Sequence, residues 1–255
     1  MYLEIVDIVR GVPITSSYGF LGWSSITMVH DVESNDYILL DCGGFNNRLL
    51  LIKKLKELGI DLGKVTKIAI THLHFDHCMN LDLFPKATIY IAKKELNYAL
   101  SNEPIEKGDM FIPVPYIENI IKNRDIVEIS DGYKVHRGLV AIELPGHTPG
   151  SIGYLDEDKK VLFVGDSIKN LHELMINEPA LCFGTRDNWL RSLNKVLSIA
   201  EIIIPGHDSR IKIDKNLKKY RRIGSDVAIE FEIVINSMKK RYKLDTRGEL
   251  VIDLR

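Results

Sequence analysis

Between positions 72 and 77 the chain places three histidines and an aspartate, in the string Ile70-Thr71-His72-Leu73-His74-Phe75-Asp76-His77. Imidazole and carboxylate are the donors that borderline dications such as zinc select. His72 and His74 are two apart and can aim at one ion, while Asp76 and His77 can aim at a second. With this chain's residue frequencies the pattern H-x-H-x-D-H would arise by chance in roughly one such chain in two thousand. An apolar strand running straight into the string would hold it still while the loop turns side chains inward.

Three more segments repeat that design. Pro145-Gly146-His147-Thr148-Pro149-Gly150-Ser151, Val164-Gly165-Asp166-Ser167 and Ile204-Pro205-Gly206-His207-Asp208 each follow an apolar run and set a ligand type beside a glycine. Five of the eight histidines fall in these positions. Of the others, His30 reads as packed or at the surface, and His136, between Lys134 and Val135 on one side and Arg137 on the other, as exposed. His172 follows Asp166 by six residues, in a loop that can return over the site, and is a candidate substrate contact.

The elements that must position these residues follow from apolar periodicity. Strands are expected at 2–9, 66–70, 87–91, 139–144, 151–155, 160–164 and 201–204, and a hairpin from 25–32 and 37–41. Helices fit 47–58, 93–101 and 187–199. Residues 102–116 contain Pro104, Pro113, Pro115 and Gly108 and are expected to be irregular. Residues 102–124, rich in apolar side chains, would form a flap over the site or bury themselves in a homodimer interface. The mixed order points to a layered α/β (α+β) domain. One domain, 1–255, is expected, with 210–255 an extension made of a long helix within 216–242 and a strand at 249–253.

These motifs resemble the metallo-β-lactamase superfamily over about residues 2–209. The resemblance implies an αββα sandwich with two metal ions at one edge. It implies that His72, His74 and His147 bind the first, that Asp76, His77 and His207 bind the second, and that Asp166 bridges them. It further implies a dinuclear zinc hydrolase, with iron or manganese acceptable in one site, that attacks with a metal-bridging hydroxide. Asp76, ligating through one oxygen, would take or pass the proton with the other. Leu40-Asp41-Cys42-Gly43-Gly44 is similar to the family's D-T-G turn, so Asp41 would orient a ligand loop or a histidine N–H. Cys42 reads as a small buried side chain. Cys78 adjoins His77, but seven ligands already fill both ions.

Composition narrows the partner. Apolar residues are 45% and charged residues 27% of 255, ordinary globular usage. The net charge of −1 gives no overall attraction to a polyanion. Residues 210–255 nevertheless carry 13 Lys/Arg against 7 Asp/Glu. No apolar run approaches the ~18 residues of a membrane-spanning helix, and Cys42, Cys78 and Cys182 are too scattered for a disulfide framework. A cytoplasmic protein acting on a small molecule is expected. T-H-L-H-F-D-H, P-G-H-T-P-G-S and P-G-H-D are similar to acyl-homoserine lactone lactonases, which carry Tyr three residues after the bridging Asp, where this chain has Lys169. A small lactone, ester or thioester is therefore the first reading. Ser24–Val29, Gly43-Gly44 and 80–85 resemble small nuclease-like members, making a nuclease or phosphodiesterase the second. A mononuclear iron persulfide dioxygenase is the third, and it would use only three of the ligands.

Overall fold

The computed structural model describes residues 3–17, 19–216, 219–224, 228–235, 238–245 and 250–252. β1 (Leu3–Val9) is followed by a short hairpin, β2 (Thr15–Ser16) and β3 (Gly19–Phe20), and then by β4 (Ile26–Asp31), β5 (Asp36–Leu40), β6 (Val65–Ala69), β7 (Thr88–Ala92) and β8 (Ile126–Ile129). Apart from the hairpin, these make a six-stranded sheet in the order β1-β4-β5-β6-β7-β8. β1, β4 and β5 pair antiparallel, and β5 through β8 run parallel.

β9 (Lys134–His136), β10 (Leu139–Glu143), β11 (Ile152–Asp156), β12 (Val161–Gly165), β13 (Ile202–Pro205), β14 (Ile211–Asp214) and β15 (Lys219–Arg222) form a second sheet in that spatial order. Only β12 and β13 are parallel in it. The helix α7 (Arg186–Ile199) lies between them in sequence, as a parallel crossover requires.

Alternation within the strands sorts the apolar side chains into three layers. Val29, Ile38, Leu40 and Ala69 from the first sheet meet Ala141, Tyr154, Phe163 and Ile204 from the second. The opposite face of the first sheet, with Met28, Leu39, Ile68 and Ile89, is covered by α1 (Arg48–Glu57), α3 (Lys93–Ala99) and α5 (Val114–Asn123). The opposite face of the second, with Leu162, Val164 and Ile203, is covered by Trp189, Leu193 and Val196 of α7 and Leu174 of α6 (Leu171–Ile176). This is the expected αββα sandwich.

Four expectations need correction. Residues 102–116 are irregular only in part: they contain α4 (Glu103–Glu106) and the start of α5. Pro104 and Pro115 sit in the first turns, where a missing N–H costs nothing. His136 is not exposed; its side chain is 7% accessible and bonds Asp31. The long helix is replaced by β15, at the edge of the second sheet, and by β16 (Ala228–Ile235) and β17 (Met238–Asp245); β16 and β17 with β18 (Leu250–Ile252) make a three-stranded sheet. Ile229, Phe231, Ile233 and Ile235 recur at every second position and favour a strand. Positions 217, 218, 225–227, 236, 237, 246–249 and 253–255 of the expected extension lie outside the described residues. The chain also divides into two compact units, Met1–Arg222 and Ile223–Arg255, so the boundary falls inside the expected extension rather than at 210. Among the described residues no helix is long and apolar enough to cross a membrane.

Candidate metal centre

The functional side chains leave the sheets where strands end. His72 and His74 follow β6, and Asp76 and His77 ride on the short helix α2 (Phe75–Cys78). His147 follows β10, Asp166 follows β12, and His207 follows β13. All seven are at least 94% buried. Ligand atoms converge in three groups: His72, His74 and His147; His72, His77 and Asp166; and Asp76, His77 and His207, the atoms of each group lying within 4.8 Å of one another. The close approach needs two glycines. Gly165 has φ +53°, and a Cβ on Gly206 would lie 1.8 Å from Asp166 Oδ1.

Four imidazoles are held by one nitrogen and present the other. His77 Nδ1 donates to Asp41 Oδ2 at 2.7 Å, and its Nε2 has no hydrogen-bond partner. His72 Nδ1 lies 3.1 Å from Thr71 Oγ1, and its Nε2 has none either. His147 Nδ1 contacts the Leu181 carbonyl at 3.2 Å, while its Nε2 lies 3.1 Å from His74 Nδ1. His74 Nε2 is 3.0 Å from Asp109 Oδ2. His207 Nε2 approaches Asp76 Oδ2 and Asp166 Oδ1 at 3.2 and 3.3 Å, and Asp166 Oδ1 has no hydrogen-bond donor. Buried polar atoms are rarely left so. A cluster of them facing one another fits a dication, because imidazole nitrogen and carboxylate oxygen are its donors. A neighbour fixing the far nitrogen is what a metal-binding imidazole ordinarily requires.

The two halves of the cluster differ in charge. Burial, reinforced by His77, His74 and His147, pulls His72 well below the ordinary imidazole value, and burial takes His147 to about 3. Burial also pulls on His77, but Asp76, Asp166 and Asp41 outweigh it and hold His77 well above. Asp76 and Asp166 are both pulled down, against burial, by the histidines and Lys169 around them.

Asp41, expected to orient a ligand loop or a histidine N–H, lies at φ +56° just past β5. Its Oδ1 accepts the Thr71 amide at 2.7 Å, and its Oδ2 accepts the Thr71 hydroxyl at 2.8 Å beside His77. His172 does not reach the cluster; it is exposed on α6. Cys42 and Cys78 are buried and point at the carbonyls of His77 and His74, away from the converging atoms.

Several residues escaped sequence reasoning. Asp109 orients His74 and also accepts the Tyr98 hydroxyl at 2.9 Å. Glu95 accepts the Leu73 amide at 2.9 Å and the Thr148 hydroxyl at 2.7 Å, tying the His72–His74 loop to the His147 loop. Phe111 lies 5.4 Å from the His74 ring, and its carbonyl receives the Phe75 amide at 2.9 Å. Residues 109–111 thus pack on the cluster. Their apolar-plus-acid composition was the available signal; which histidine the acid would meet was not encoded locally. The open cleft above the cluster, about 300 Å³ including its mouth, is lined by Phe20, His74, Phe75, Asp76, Phe111, Asp166, Lys169 and Leu181.

A family model for the metallo-beta-lactamase superfamily matches residues 24–207. A protein of Methanocaldococcus jannaschii described as a probable metallo-hydrolase is 28% identical over 71% of this chain and 75% of its own. A hydroxyacylglutathione hydrolase of Haemophilus influenzae is 30% identical over 72% of this chain and 84% of its own. Among solved structures, an N-acyl homoserine lactone hydrolase with N-hexanoyl-L-homoserine at its catalytic metal centre superposes with a TM-score of 0.61. It is 22% identical and covers 81% of this chain and 92% of its own, a likeness of fold. The sandwich, the converging His/Asp cluster at its edge and a family match across most of the chain make this protein a hydrolase of the metallo-beta-lactamase superfamily.

Proposed function

We propose that the cluster holds two divalent cations, zinc by the chemistry of its donors, and that the protein hydrolyses a small ester, thioester or lactone. His72, His74 and His147 would hold the first ion, Asp76, His77 and His207 the second, and Asp166 both. Iron or manganese in one position is compatible with the same donors. The observation that carries this reading is the set of buried atoms without partners, His72 Nε2, His77 Nε2, Asp166 Oδ1 and both nitrogens of His207, all in one cluster. When bound, two such cations would lower the pKa of a water toward ~7 and polarise the oxygen under attack.

The chain's own residues do the rest. Asp76 stands at the mouth, lining the cleft, and is positioned to take the proton of the attacking water and pass it on. Phe20, Phe75, Phe111 and Leu181 give the cleft apolar walls that exclude water and suit an acyl group. The relative described as a hydroxyacylglutathione hydrolase supports a small acyl substrate. Three free cysteines suit the reducing cytoplasm. A panel of lactone, thioester, phosphodiester and persulfide, run on metal-loaded protein, tests the reading. Turnover of a lactone or thioester is expected. Turnover of the phosphodiester or persulfide alone would replace it.

A further inference from the structure

Glu173 of α6 is 2% accessible and takes no part in the proposed chemistry. A buried carboxylate is costly unless both oxygens find donors. Here they find two backbone amides from two different segments. Oε2 accepts the Lys169 amide at 2.6 Å, just after the turn Asp166–Ile168 that leaves β12. Oε1 accepts the Ala180 amide at 2.7 Å, in the segment 177–184 between α6 and α7. The acid itself is held from behind. Asn170 Oδ1 accepts the Glu173 amide at 3.1 Å, Asp208 Oδ2 accepts the Leu171 amide at 2.9 Å, and Leu174 packs into the core. The helix is therefore the fixed part, and the two segments are pinned to it.

Both segments lead directly to the cluster. The Lys169 carbonyl receives the His207 amide at 2.8 Å. The Leu181 carbonyl, one residue past Ala180, meets His147 Nδ1 at 3.2 Å, and Leu181 also lines the cleft. The Phe183 amide donates to the His147 carbonyl at 2.8 Å. Residues 177–184 form neither helix nor strand, so individual bonds such as these, and not a ladder, must hold them.

We propose that Glu173 is a positioning residue whose carboxylate clamps the turn after β12 to the segment 177–184, and through them sets His207 and His147 toward the metal. This deepens the hydrolase reading and rests on it for those two histidines as ligands. The clamp needs the ionised form. An ionised carboxylate accepts at both oxygens, whereas a protonated one gives up an acceptor to its own O–H. Burial pushes the Glu173 carboxyl up to about 7, although the Ala180 and Lys169 amides pull it down. Asp166 adds to the rise and the Lys169 ammonium opposes it. Cys182, on the pinned segment, is itself pushed up by burial and stays neutral in this range. Asp208 and Arg222, paired at 2.7 Å, meet α6 at its Leu171 end. The clamp is thus closed above neutrality and loosens as the pH falls through it.

The test uses wild-type and Glu173→Gln proteins and two readouts. Amide NMR shifts of isotope-labelled protein, followed against pH without metal, report the clamp itself. The Lys169 and Ala180 amides should titrate together in the wild type, with a midpoint of about 7, and neither should titrate in Glu173→Gln. Zinc affinity against a competing chelator reports the link to the histidines. Well above neutrality Glu173→Gln should bind zinc about tenfold more weakly than the wild type. Well below neutrality the two affinities should converge, because the wild type then carries a proton where the variant carries an amide. A merely structural role would lower affinity by the same factor at both pH values. Amides that titrate separately or not at all near neutrality, or an affinity ratio that does not change with pH, overturn the proposal. If neither protein binds zinc, the metal reading falls; a shared, Glu173-dependent amide titration then upholds the clamp, and its absence removes that too. Should Glu173→Gln fold poorly, Glu173→Asp carries the same zinc comparison, since its shorter carboxylate cannot reach both amides.

Discussion

His136 and His77 are both buried and both face aspartates, at opposite ends of β5, and they are finished differently. At the end where β5 begins, His136 Nε2 meets Asp31 Oδ2 at 2.7 Å and its Nδ1 meets Lys67 Nζ at 3.3 Å. Asp31 Oδ1 takes the amides of Glu33 and Ser34, and Arg137 stands 3.5 Å from Oδ2. Every member has its partners. At the end where β5 gives way to Asp41, His77 has one nitrogen bonded and one bare, and so does His72. The same residue types therefore make a strut at one end and a receptor at the other. What separates the two is hydrogen-bond satisfaction, not composition. A satisfied polar cluster rigidifies, while bare convergent donors cost stability that only a ligand returns.

The comparison breaks first if the bare cluster proves structural. His72→Ala should lower kcat/KM by about a thousandfold or more, with loss of bound metal. The melting temperature of the metal-free protein should not fall, because a buried imidazole with a bare nitrogen has been removed. A variant that unfolds yet binds metal normally would reverse the assignment. Asp76→Asn should lower turnover by about a hundredfold or more while keeping more of its metal, since an amide oxygen still ligates but cannot take a proton. Near-normal turnover with full metal would end the proton-handling role. Asp109→Ala should weaken metal binding or activity about 10- to 100-fold through a misdirected His74, without touching any reacting atom. Equilibrium dialysis against a competing chelator measures it, and an unchanged affinity would make Asp109 incidental.

The strut should respond oppositely. His136→Ala should lower the melting temperature and leave metal content alone. Its pH dependence has a definite sign. His136, the largest influence, holds the Asp31 carboxyl well below its usual range, so the pair's stabilisation is present above the unfolded carboxylate value and is lost as pH falls through the folded one. The variant's melting curve should therefore be flatter than the wild type's on the acid side. The smallest effect is expected from the basic positions near the C-terminus. Replacing Lys219, Arg221, Arg222, Lys239, Lys240 and Arg241 together should leave turnover of a small ester unchanged. Arg222 is already paired with Asp208 at 2.7 Å and Lys239 with Glu232 at 3.1 Å. Filter binding of RNA across salt concentrations checks the nuclease alternative. Tight binding that weakens steeply with salt and disappears in the variant would favour it.

The seven converging residues were legible because each sits beside its own strand end, with a glycine or a second ligand as neighbour. The sandwich was legible from the same apolar runs, since alternation alone assigns each strand two faces. Asp109 and Glu95 were not legible. Each acts on a histidine loop more than twenty residues away in sequence, and nothing local marks an acid that will be buried. His136 was misread because its flanking lysine and arginine suggest solvent, while Asp31, which buries it, lies on β4 of the other sheet. The expected helix in the tail fails because Ile229, Phe231, Ile233 and Ile235 recur at every second position, the period of a strand, in β16.

The central claim is that the bare atoms are ligands for two ions. Elemental analysis of protein purified without chelator, then titrated with zinc while turnover is followed, tests it most directly. The account predicts two ions per chain at full activity, with activity lost on chelation and regained on adding metal. One tightly bound ion, with full activity and no response to further metal, would contradict it.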